Sequence, residues 1–571
     1  MRRAHARPAV LGLCAFTHDS SAALIVDGHL VGLVEEERLS GIKHTRAYPQ
    51  RAVETLLREA GLIAADIDCV AYNFAGDRYL AAVPGSLRHL AGPSRNRAIP
   101  RAASYAVVHS RYRQRMRSLR DRFPGARLRS VLHHRAHGLY AFAASGHPDA
   151  GVLIVDSVGE TQTTTIARAH AAGTGVDYRI LDALHDPASL GYAYGAVTAH
   201  LGWHRGDEEG TVMALAALGD PARFRRVFSE AIALTPGGFA LDPRWFPLRV
   251  LRHGWPRVTP AFARATCTPR TADDEVIQTH ADVAAALQER TEQVMLHLAR
   301  RVRERTGSRL LCVGGGVATN CVSIGKIVAA GLFDQVSVPP APGDAGTAVG
   351  AALAAHLDAT GRLVNGVAHR CYLGPAYADE APPTIDGLSV RRMADPSSVV
   401  ADSLASGRIV GIFRGRMDAG PRALGNRSIL ASPLMPGVVD RLNTTVKFRE
   451  PFRPFAPVVL ADAASDYFRI RQASPYMSIA VEVTELARQR IPPIVHANGT
   501  ARVQTVDHTQ NPFLAEVLER FAHRTGVPVL INTSLNVKGR PISGTPDAAL
   551  KCLATTGMDA LMLDGGWWVT K

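Results

Sequence analysis

A pair of histidines four residues apart is the first feature of this sequence that could do chemistry. The string His133-His134-Arg135-Ala136-His137 follows a predicted strand at residues 129–132. If the string begins a helix, His133 and His137 lie one turn apart on the same face. Two imidazoles in that arrangement can share a divalent metal. The alternative interpretation is a solvated, basic helix start.

Two histidines need further ligands, and two aspartates follow predicted strands at what should be the same edge of a cleft. Asp156 ends the strand at residues 152–155, and Asp344 follows the strand at residues 335–338. Two imidazoles and two carboxylates suit Fe²⁺, Mn²⁺ or Zn²⁺. The sequence therefore predicts a metal site at His133, His137, Asp156 and Asp344.

Glycine-rich turns follow two further strands. Gly314-Gly315-Gly316 comes after the strand at residues 309–313, and Gly343 precedes Asp344 at the next junction of strand and helix. Backbone N–H groups in such turns can approach phosphates. A purely structural turn is the alternative, but two such turns in succession favour a nucleotide site.

A loop with adjacent histidine and aspartate follows the first predicted strand. His18 could accept the proton of an attacking hydroxyl, and Asp19 could orient its imidazole. An ordinary surface loop is the alternative, since a single His-Asp pair is unspecific.

The densest positive charge lies between residues 414 and 453. The cations there are Arg414, Arg416, Arg422, Arg427, Arg441, Lys447, Arg449 and Arg453. Arginine forks bind phosphate and carboxylate through paired hydrogen bonds. The alternative interpretation of this segment is a solvated basic face. Further on, the polar string at residues 532–536 follows a strand and offers Asn532 and Ser534 to a small ligand, unless it is an ordinary polar loop.

The elements that would position these residues have an α/β pattern that occurs twice. Strands at residues 10–13, 22–26 and 30–34 surround the polar loop at His18, and the unit returns at residues 152–155 and 163–167. The turn Asp27-Gly28 suits a tight hairpin. We interpret the repeat as two related lobes facing a ligand cleft; two unrelated hairpins are the alternative.

Later segments complete the predicted organisation. An alanine-rich helix is predicted at residues 281–306, and a Pro- and Gly-rich domain junction at residues 363–396. Residues 205–270 are irregular and rich in proline, which predicts an insertion or a mobile substrate loop.

Composition excludes several classes of protein. Lys plus Arg number 65 against 51 Asp plus Glu, a net charge of +14, which favours anionic ligands. The basic segment lacks periodic aromatic residues, so extended nucleic-acid binding is disfavoured. The seven cysteines contain no CxxC pair, as expected in a reducing cytoplasm. No apolar run of about 18 residues occurs, so no membrane span is expected, and the oligomeric state stays open.

Several strings together resemble the carbamoyltransferases of antibiotic and nodulation-factor biosynthesis, of which the tobramycin carbamoyltransferase is one. The most specific strings are residues 415–428, 446–450 and 452–457, followed by residues 133–137, 314–320 and 532–536. The resemblance covers nearly the whole chain. It implies a duplicated actin/hexokinase-like (ASKHA) domain similar to TsaD at residues 1–367, and an α/β YrdC-like domain at residues 368–571.

The resemblance also implies a reaction at two sites. The C-terminal domain would form carbamoyl-adenylate from carbamoyl phosphate and ATP, with Mg²⁺. The N-terminal domain would transfer the carbamoyl group to a hydroxyl of a small-molecule natural product.

Site residues follow from the same resemblance, position by position. Iron (or Mn²⁺) would be held by the four predicted metal ligands, and His18 would be the base. Gly315, Gly316 and Asn320 would contact the nucleotide. The adenylate-forming site would contain Arg422, Lys447, Arg453, Arg502, Asn532 and Ser534.

The chain departs from the family pattern at two positions. Thr211 stands where the family usually has lysine, so a phosphate contact is missing or comes from elsewhere. Phe16 stands where the tobramycin enzyme has an aspartate, which favours a less cationic acceptor such as a macrolide or polyketide glycoside over an aminoglycoside.

Two other functions remain open at this point. One is threonylcarbamoylation of tRNA with both activities in one chain, and the other is a non-catalytic regulator that binds metal and nucleotide. Carbamoyl-dependent consumption of ATP would distinguish the proposed transferase from both.

Overall fold

The computed structural model describes residues 8–92, 94–252, 254–377, 381–383, 385 and 387–571. The basic start at residues 1–7 and parts of the predicted junction lie outside this range. The chain forms two compact units. The first contains the described residues of Met1–Leu33, Arg46–Pro49 and Leu56–His369, and the second contains those of Val34–Thr45, Gln50–Thr55 and Arg370–Lys571.

The strands are numbered in chain order. They are β1 (Ala9–Cys14), β2 (Ser21–Val26), β3 (His29–Glu35), β4 (Cys69–Tyr72), β5 (Arg127–Ser130), β6 (Asp149–Gly159), β7 (Gln162–Ala172), β8 (Gly175–His185), β9 (Ile232–Thr235), β10 (Gly238–Leu241), β11 (Leu310–Gly314), β12 (Gln335–Ser337), β13 (Ser389–Arg392), β14 (Val410–Phe413), β15 (Arg427–Ala431), β16 (Ala456–Leu460), β17 (Ala480–Glu482), β18 (Thr500–Arg502), β19 (Gln504–Val506), β20 (Val529–Ser534), β21 (Ala560–Leu563) and β22 (Trp567–Thr570).

The α-helices are numbered in the same way. They are α1 (Glu36–Ser40), α2 (Gln50–Ala60), α3 (Ala82–Leu87), α4 (Arg95–Arg122), α5 (His133–Ser145), α6 (Leu190–His200), α7 (Glu209–Leu215), α8 (Arg225–Ala231), α9 (Pro260–Ala265), α10 (Gln278–Thr306), α11 (Cys321–Ala329), α12 (Thr347–Thr360), α13 (Pro396–Ala405), α14 (Val438–Arg441), α15 (Ala464–Tyr467), α16 (Glu485–Arg490), α17 (Pro512–Thr525) and α18 (Pro546–Thr555).

The first unit contains two five-stranded sheets with the same topology. One has the order β3-β2-β1-β4-β5 and the other the order β8-β7-β6-β11-β12. In each sheet the central strand pairs antiparallel with the next strand of the chain and parallel with a later one. This identity of order and direction is the duplicated arrangement expected of an actin/hexokinase-like domain. The predicted α/β fold is therefore confirmed.

The hairpin between β2 and β3 follows the prediction from the sequence. Asp27 and Gly28 have φ of 51° and 69°, the left-handed values that a two-residue primed turn requires. The loop that contains His18 joins the end of β1 to the start of β2.

The segment at residues 205–270 has more regular structure than predicted. It contains α7, α8, α9 and the hairpin of β9 and β10. These helices are short, of six or seven residues each. Pro260 opens α9 behind a Thr259 cap. Such short segments show too few periods to be recognised from the sequence.

Close packing fixes α12 against the first lobe and against α5. A Cβ added to Gly12 of β1 would lie 2.0 Å from the Ala348 carbonyl oxygen, and one added to Gly350 would lie 1.8 Å from the Ala136 carbonyl oxygen. Glycine at both positions therefore lets backbone approach backbone. The turn that carries Asp344 and the helix that carries the two histidines are thereby held in register.

The second unit is built on an eight-stranded sheet with the order β13-β22-β21-β14-β15-β20-β16-β19. Its core lies between this sheet and the helices α13 and α17, and includes Val400, Leu404, Leu518 and Phe521. A π-helical stretch at Leu442–Lys447 follows α14 and ends at Phe448, whose φ is 48°. Irregular helical turns of this kind are common at functional sites.

Helix α1, although early in the chain, belongs to the second unit. The guanidinium of its buried Arg38 donates hydrogen bonds to the carbonyl oxygens of Asp418, at 2.8 Å, and Gly420. The segment at residues 415–428 thus has a fixed conformation that depends on a distant part of the sequence.

Within the part of the chain that the structure describes, every helix is too short or too polar to cross a bilayer. All seven cysteines are free thiols, as the sequence predicted.

Candidate functional site

Four side chains in the first unit converge as the sequence predicted for a metal centre. Ligand atoms of His133, His137, Asp156 and Asp344 all lie within 4.8 Å of one another. The Nε2 atoms of the two histidines are 3.1 Å apart. His133 Nε2 is 3.4 Å from an oxygen of each aspartate, and His137 Nε2 is 3.8 Å from Asp344.

Three elements bring these groups together. The histidines occupy the first two turns of α5, Asp156 lies in β6, and Asp344 lies in the short 3₁₀ turn before α12. Both histidines are buried. The predicted helix at His133 is thus confirmed, and its first turns point into the protein rather than into solvent.

Each imidazole is oriented by contacts on its other side. His133 Nδ1 faces the Asn73 carbonyl oxygen at 3.3 Å, and its ring stacks on Phe74 with centroids 4.3 Å apart. His137 has a hydrogen bond to the Pro342 carbonyl group. These contacts leave both Nε2 atoms facing the aspartates, which is the arrangement that metal-ligating histidines show.

Burial and mutual charge shift the pKa values of His133, His137 and Asp156. Burial, with the charge of His133, lowers the pKa of His137 to about 4. Burial also opposes charge on His133, but Asp344 and Asp156 together raise its pKa well above the usual range. Burial would raise the pKa of Asp156, but the hydrogen bond from His133 and the neighbouring imidazoles hold it well below its usual range. The donor set, two imidazoles and two carboxylates in a buried cluster, fits a divalent transition metal.

Glu160 is a part of this site that sequence reasoning missed. Its buried carboxylate accepts hydrogen bonds from the Ala75 N–H at 2.8 Å and the His133 N–H at 3.2 Å. An anion at the amino terminus of α5 satisfies unpaired N–H groups and the helix dipole. Only its place in the polar turn after Asp156 could have drawn attention to it.

The glycine-rich turn after β11 lies directly beside Asp156. Gly315 has a φ of 90°, and a Cβ there would lie 2.3 Å from the Val155 carbonyl oxygen. The Gly316 N–H donates to Asp156 Oδ1 at 3.1 Å. The side chain of Asn320 is engaged within the protein, as the cap of α11 and in paired hydrogen bonds with Gln288.

His18 lies in a strained loop at the end of β1. Its Nδ1 is 2.9 Å from Asp19 Oδ2, and Asp19 has a φ of 57°, an unusual value for a residue with a side chain. Gly206 lies beside this imidazole, since a Cβ there would lie 3.1 Å from His18 Nε2. Asp19 therefore has the position expected of a group that orients His18.

The two departures from the family pattern also lie in the first unit. Thr211 is fully buried in α7, and its hydroxyl has no hydrogen-bond partner among the described residues. Phe16 contacts Tyr48, with centroids 6.4 Å apart, and Arg115 lies 5.6 Å from its ring centroid. Neither residue offers an anionic contact.

Lys447 is the centre of the cationic cluster in the second unit. Its buried ammonium donates to four oxygens, the carbonyl and side-chain oxygens of Ser534 and Asn536, at 2.6–3.1 Å. Burial lowers its pKa well below the usual range, and the charges of Arg449, Arg453 and Lys43 lower it further. Glu450 lies 3.8 Å from Arg453, so among the described residues the cations of this cluster outnumber its carboxylates.

The predicted arginines differ in how closely the structure associates them with Lys447. Burial and the charges of Arg453 and Arg502 lower the pKa of Arg449 to about 9, so these three guanidiniums lie near one another. Arg422 is half-buried in the loop between β14 and β15. Asn532 is buried in β20, where its amide donates to Ala423 and Gln504.

Sequence reasoning missed three further members of this cluster as site residues, namely Lys43, Arg449 and Asn536. Arg449 was visible in the basic segment, and Asn536 in the polar string after β20. Lys43 had no signal, because it is far away in the sequence and belongs to the second unit only through the fold.

The chain matches two known protein families, one in its N-terminal part and one in its C-terminal part. Residues 9–353 match the family described as the carbamoyltransferase N-terminus, and residues 401–571 match the carbamoyltransferase C-terminus. The first match alone spans more than half of the chain, and the chain therefore belongs to the carbamoyltransferase family. It is a transferase, as the motifs indicated.

Similar proteins cover nearly the whole chain. Nodulation protein NolNO of Sinorhizobium fredii is 34% identical over 97% of this chain and 79% of its own length. An uncharacterised protein of Synechocystis is 34% identical over 97% of this chain and 95% of its own. Nodulation protein U of Rhizobium fredii is 31% identical over 94% of this chain and 91% of its own.

Proposed function

We propose that this protein is an ATP-dependent O-carbamoyltransferase that makes carbamoyl-adenylate in the second unit and uses it in the first. The observation that carries the proposal is the presence of two separate anion-handling clusters in one carbamoyltransferase chain. One is centred on Lys447 with Arg449, Arg453 and Arg502, and the other on the four residues around His133.

In the second unit, the chemistry to be catalysed is the activation of a carbamoyl group. Loss of inorganic phosphate from carbamoyl phosphate, with one water consumed, leaves a carbamate. A carbamate oxygen attacks the α-phosphorus of ATP, and pyrophosphate leaves with its Mg²⁺. The reacting groups carry several negative charges, so Lys447, Arg453, Arg422 and Arg502 would lower the barrier by screening them. Asn532 and Ser534 complete the predicted site.

In the first unit, the four ligands would hold Fe²⁺ or Mn²⁺. A metal ion there supplies a positive charge that binds the adenylate phosphate. The backbone of Gly315 and Gly316 lies next to Asp156, so it would contact the same nucleotide. Asn320 was predicted as a third nucleotide contact, and its existing bonds to Gln288 make it a residue that shapes the turn as well.

His18 is the proposed general base. Its Nδ1 faces the Asp19 carboxylate, which leaves Nε2 to accept the proton of the acceptor hydroxyl. The hydroxyl oxygen bonds to the carbamoyl carbon, the bond from that carbon to the phosphate oxygen breaks, and AMP leaves. Asp19 stabilises the imidazolium that forms.

The acceptor is proposed to be a small natural product with a free hydroxyl, such as a macrolide or polyketide glycoside. Membership of the carbamoyltransferase family supports a hydroxylated acceptor, and Phe16 offers it no acidic contact. The cytoplasm is the compartment that supplies ATP and carbamoyl phosphate, and no nucleic acid or membrane takes part.

The reaction is tested by following pyrophosphate release from ATP by the purified chain. We expect release that requires carbamoyl phosphate and that rises when an acceptor hydroxyl is added, with a carbamoylated product seen by mass spectrometry. Release that requires threonine and bicarbonate instead would contradict the proposal and indicate tRNA modification. No release under either condition would indicate a non-catalytic protein.

A further inference from the structure

A cluster of arginines in the first unit has no role in the chemistry described so far. Arg249 and Arg257 both lie over the ring of the buried Tyr192, with guanidinium carbons 5.2 Å and 5.3 Å from its centroid. Arg205 lies close enough for its charge to act on Arg257. All three are half-buried.

The cluster lacks a matching negative charge. Among the described residues, none of the three forms an ion pair with a carboxylate. Glu209 is the acidic residue whose charge reaches Arg205, and it accepts a hydrogen bond from the Gly206 N–H at 2.6 Å. Burial, with the charges of Arg205 and Arg249, lowers the pKa of Arg257 to about 10. Like charges held together at half-burial are unfavourable unless an anion joins them.

The arginines are fixed in position rather than free on a surface. Helix α4 holds the segment that carries Arg249 and Arg257: Arg97 donates to the carbonyl oxygens of Leu248 and Pro256 at 3.2 Å and 3.0 Å, and Arg101 donates to that of Arg249 at 2.7 Å. Arg101 itself is paired with Asp186. This anchoring keeps two guanidinium groups on one tyrosine ring.

The cluster also lies beside the proposed transfer chemistry. Arg249 donates to the carbonyl oxygen of Ser157, the residue after the metal ligand Asp156, at 3.0 Å. Gly206, next to Arg205, is adjacent to His18 Nε2. An anionic group on these arginines would therefore belong to a molecule whose other end can reach the general base.

We propose that Arg205, Arg249 and Arg257 bind an anionic group, a carboxylate or a phosphate, on the hydroxylated acceptor. Arginine forks bind either oxyanion through paired hydrogen bonds, and the tyrosine face holds two of the forks apart. The acceptor would then be a hydroxylated natural product, such as a glycoside, that also carries a carboxylate or a phosphate group. That the ligand is the acceptor rests on the proposed transfer reaction. The binding of an anion by these arginines does not.

The test compares small sugars that differ chiefly in the charge of the group at C6. Binding of methyl β-D-glucuronide, glucose 6-phosphate and neutral methyl β-D-glucoside to the full chain is measured by calorimetry at low ionic strength, where charge contacts are least screened. We expect both anions to bind at least about ten-fold more tightly than the glucoside, and the stronger of the two to identify carboxylate or phosphate as the natural group.

Variants locate the effect. Arg257→Gln and, independently, Arg205→Gln should reduce the preference to about two-fold or less, whereas Arg252→Gln, at an exposed arginine of the same segment, should leave it unchanged. Lys447→Met alters the cationic cluster of the second unit, in which Arg449, Arg453 and Arg502 remain, and should also leave this preference unchanged. Circular dichroism confirms that each variant is folded.

Equal binding of the three ligands by the wild-type chain would overturn the proposal, as would a preference that survives both arginine variants or disappears in Lys447→Met. Failure of carbamoyl transfer with the charge preference intact would instead count against the proposed function alone. The two ideas therefore fail separately.

Discussion

At the residue scale, the four proposed metal ligands differ in how they are held. His133 is oriented by the Asn73 carbonyl oxygen and the ring of Phe74, and His137 by the Pro342 carbonyl group. Asp344 instead lies on a short turn and is the more exposed aspartate, at 20% against 9% for Asp156. Of the four residues, Asp344 is therefore the one whose replacement should destabilise the fold least and weaken metal binding most.

We predict that Asp344→Asn lowers the metal content of the chain, loaded with Fe²⁺ or Mn²⁺ and then desalted, by about ten-fold or more. An amide lacks the negative charge that offsets the cation. Elemental analysis by mass spectrometry gives the metal content, and Asp358→Asn, which removes a surface partner of Arg135, is the control with unchanged content. Full retention of metal by Asp344→Asn would contradict the assignment.

Sequence reasoning found these ligands because their types are chemically restrictive. Helical spacing and strand ends were enough to bring four residues to one point. Residues whose role depends on their surroundings were missed: Glu160 looks like any acidic residue in a polar turn, and Lys43 joins the second unit only through long-range contacts.

At the element scale, the transfer site depends on how closely α12 approaches α5. Gly350 allows this approach, since its α-carbon faces the Ala136 carbonyl oxygen of the helix that carries both histidines. The two helices pack backbone against backbone here, so an added methyl group can be accommodated only if one of the helices shifts.

We predict that Gly350→Ala lowers the free energy of unfolding by about 1–3 kcal/mol, the usual cost of overpacking, and weakens metal binding because α5 shifts. Chemical denaturation and metal content measure the two effects. Gly85→Ala in α3 is the matched control, because nothing lies within 4 Å of the added Cβ; it should be neutral or stabilise by up to about 1 kcal/mol. A Gly350→Ala chain as stable and as metal-rich as wild type would argue against this packing role.

Elements with a clear hydrophobic pattern were predicted well, and short elements were not. The fully apolar strand β1 and the long, alanine-rich α10 leave clear patterns. The short helices and the hairpin between residues 205 and 270 do not, because their stability comes from packing rather than from local sequence.

At the scale of the whole molecule, the two compact units are not continuous stretches of the chain. Residues Val34–Thr45 and Gln50–Thr55 belong to the second unit, although the other described residues up to His369 belong to the first. Arg38 in this segment supports the backbone of residues 418–420. No shift in composition marks the exchange, so it could not be predicted from the sequence. The repeat of the two sheets could be, because the strand and loop patterns recur.

The central claim is a division of labour between the two units, and it is tested by rapid quenching of a single turnover with ATP and carbamoyl phosphate. In His18→Ala, we predict a burst of pyrophosphate close to the enzyme concentration, with carbamoyl-adenylate retained and no product. In Lys447→Met, we predict no burst, while Lys551→Ala, at an exposed lysine of α18, behaves as wild type. A burst lost equally in His18→Ala and Lys447→Met, or retained in Lys447→Met, would contradict the account.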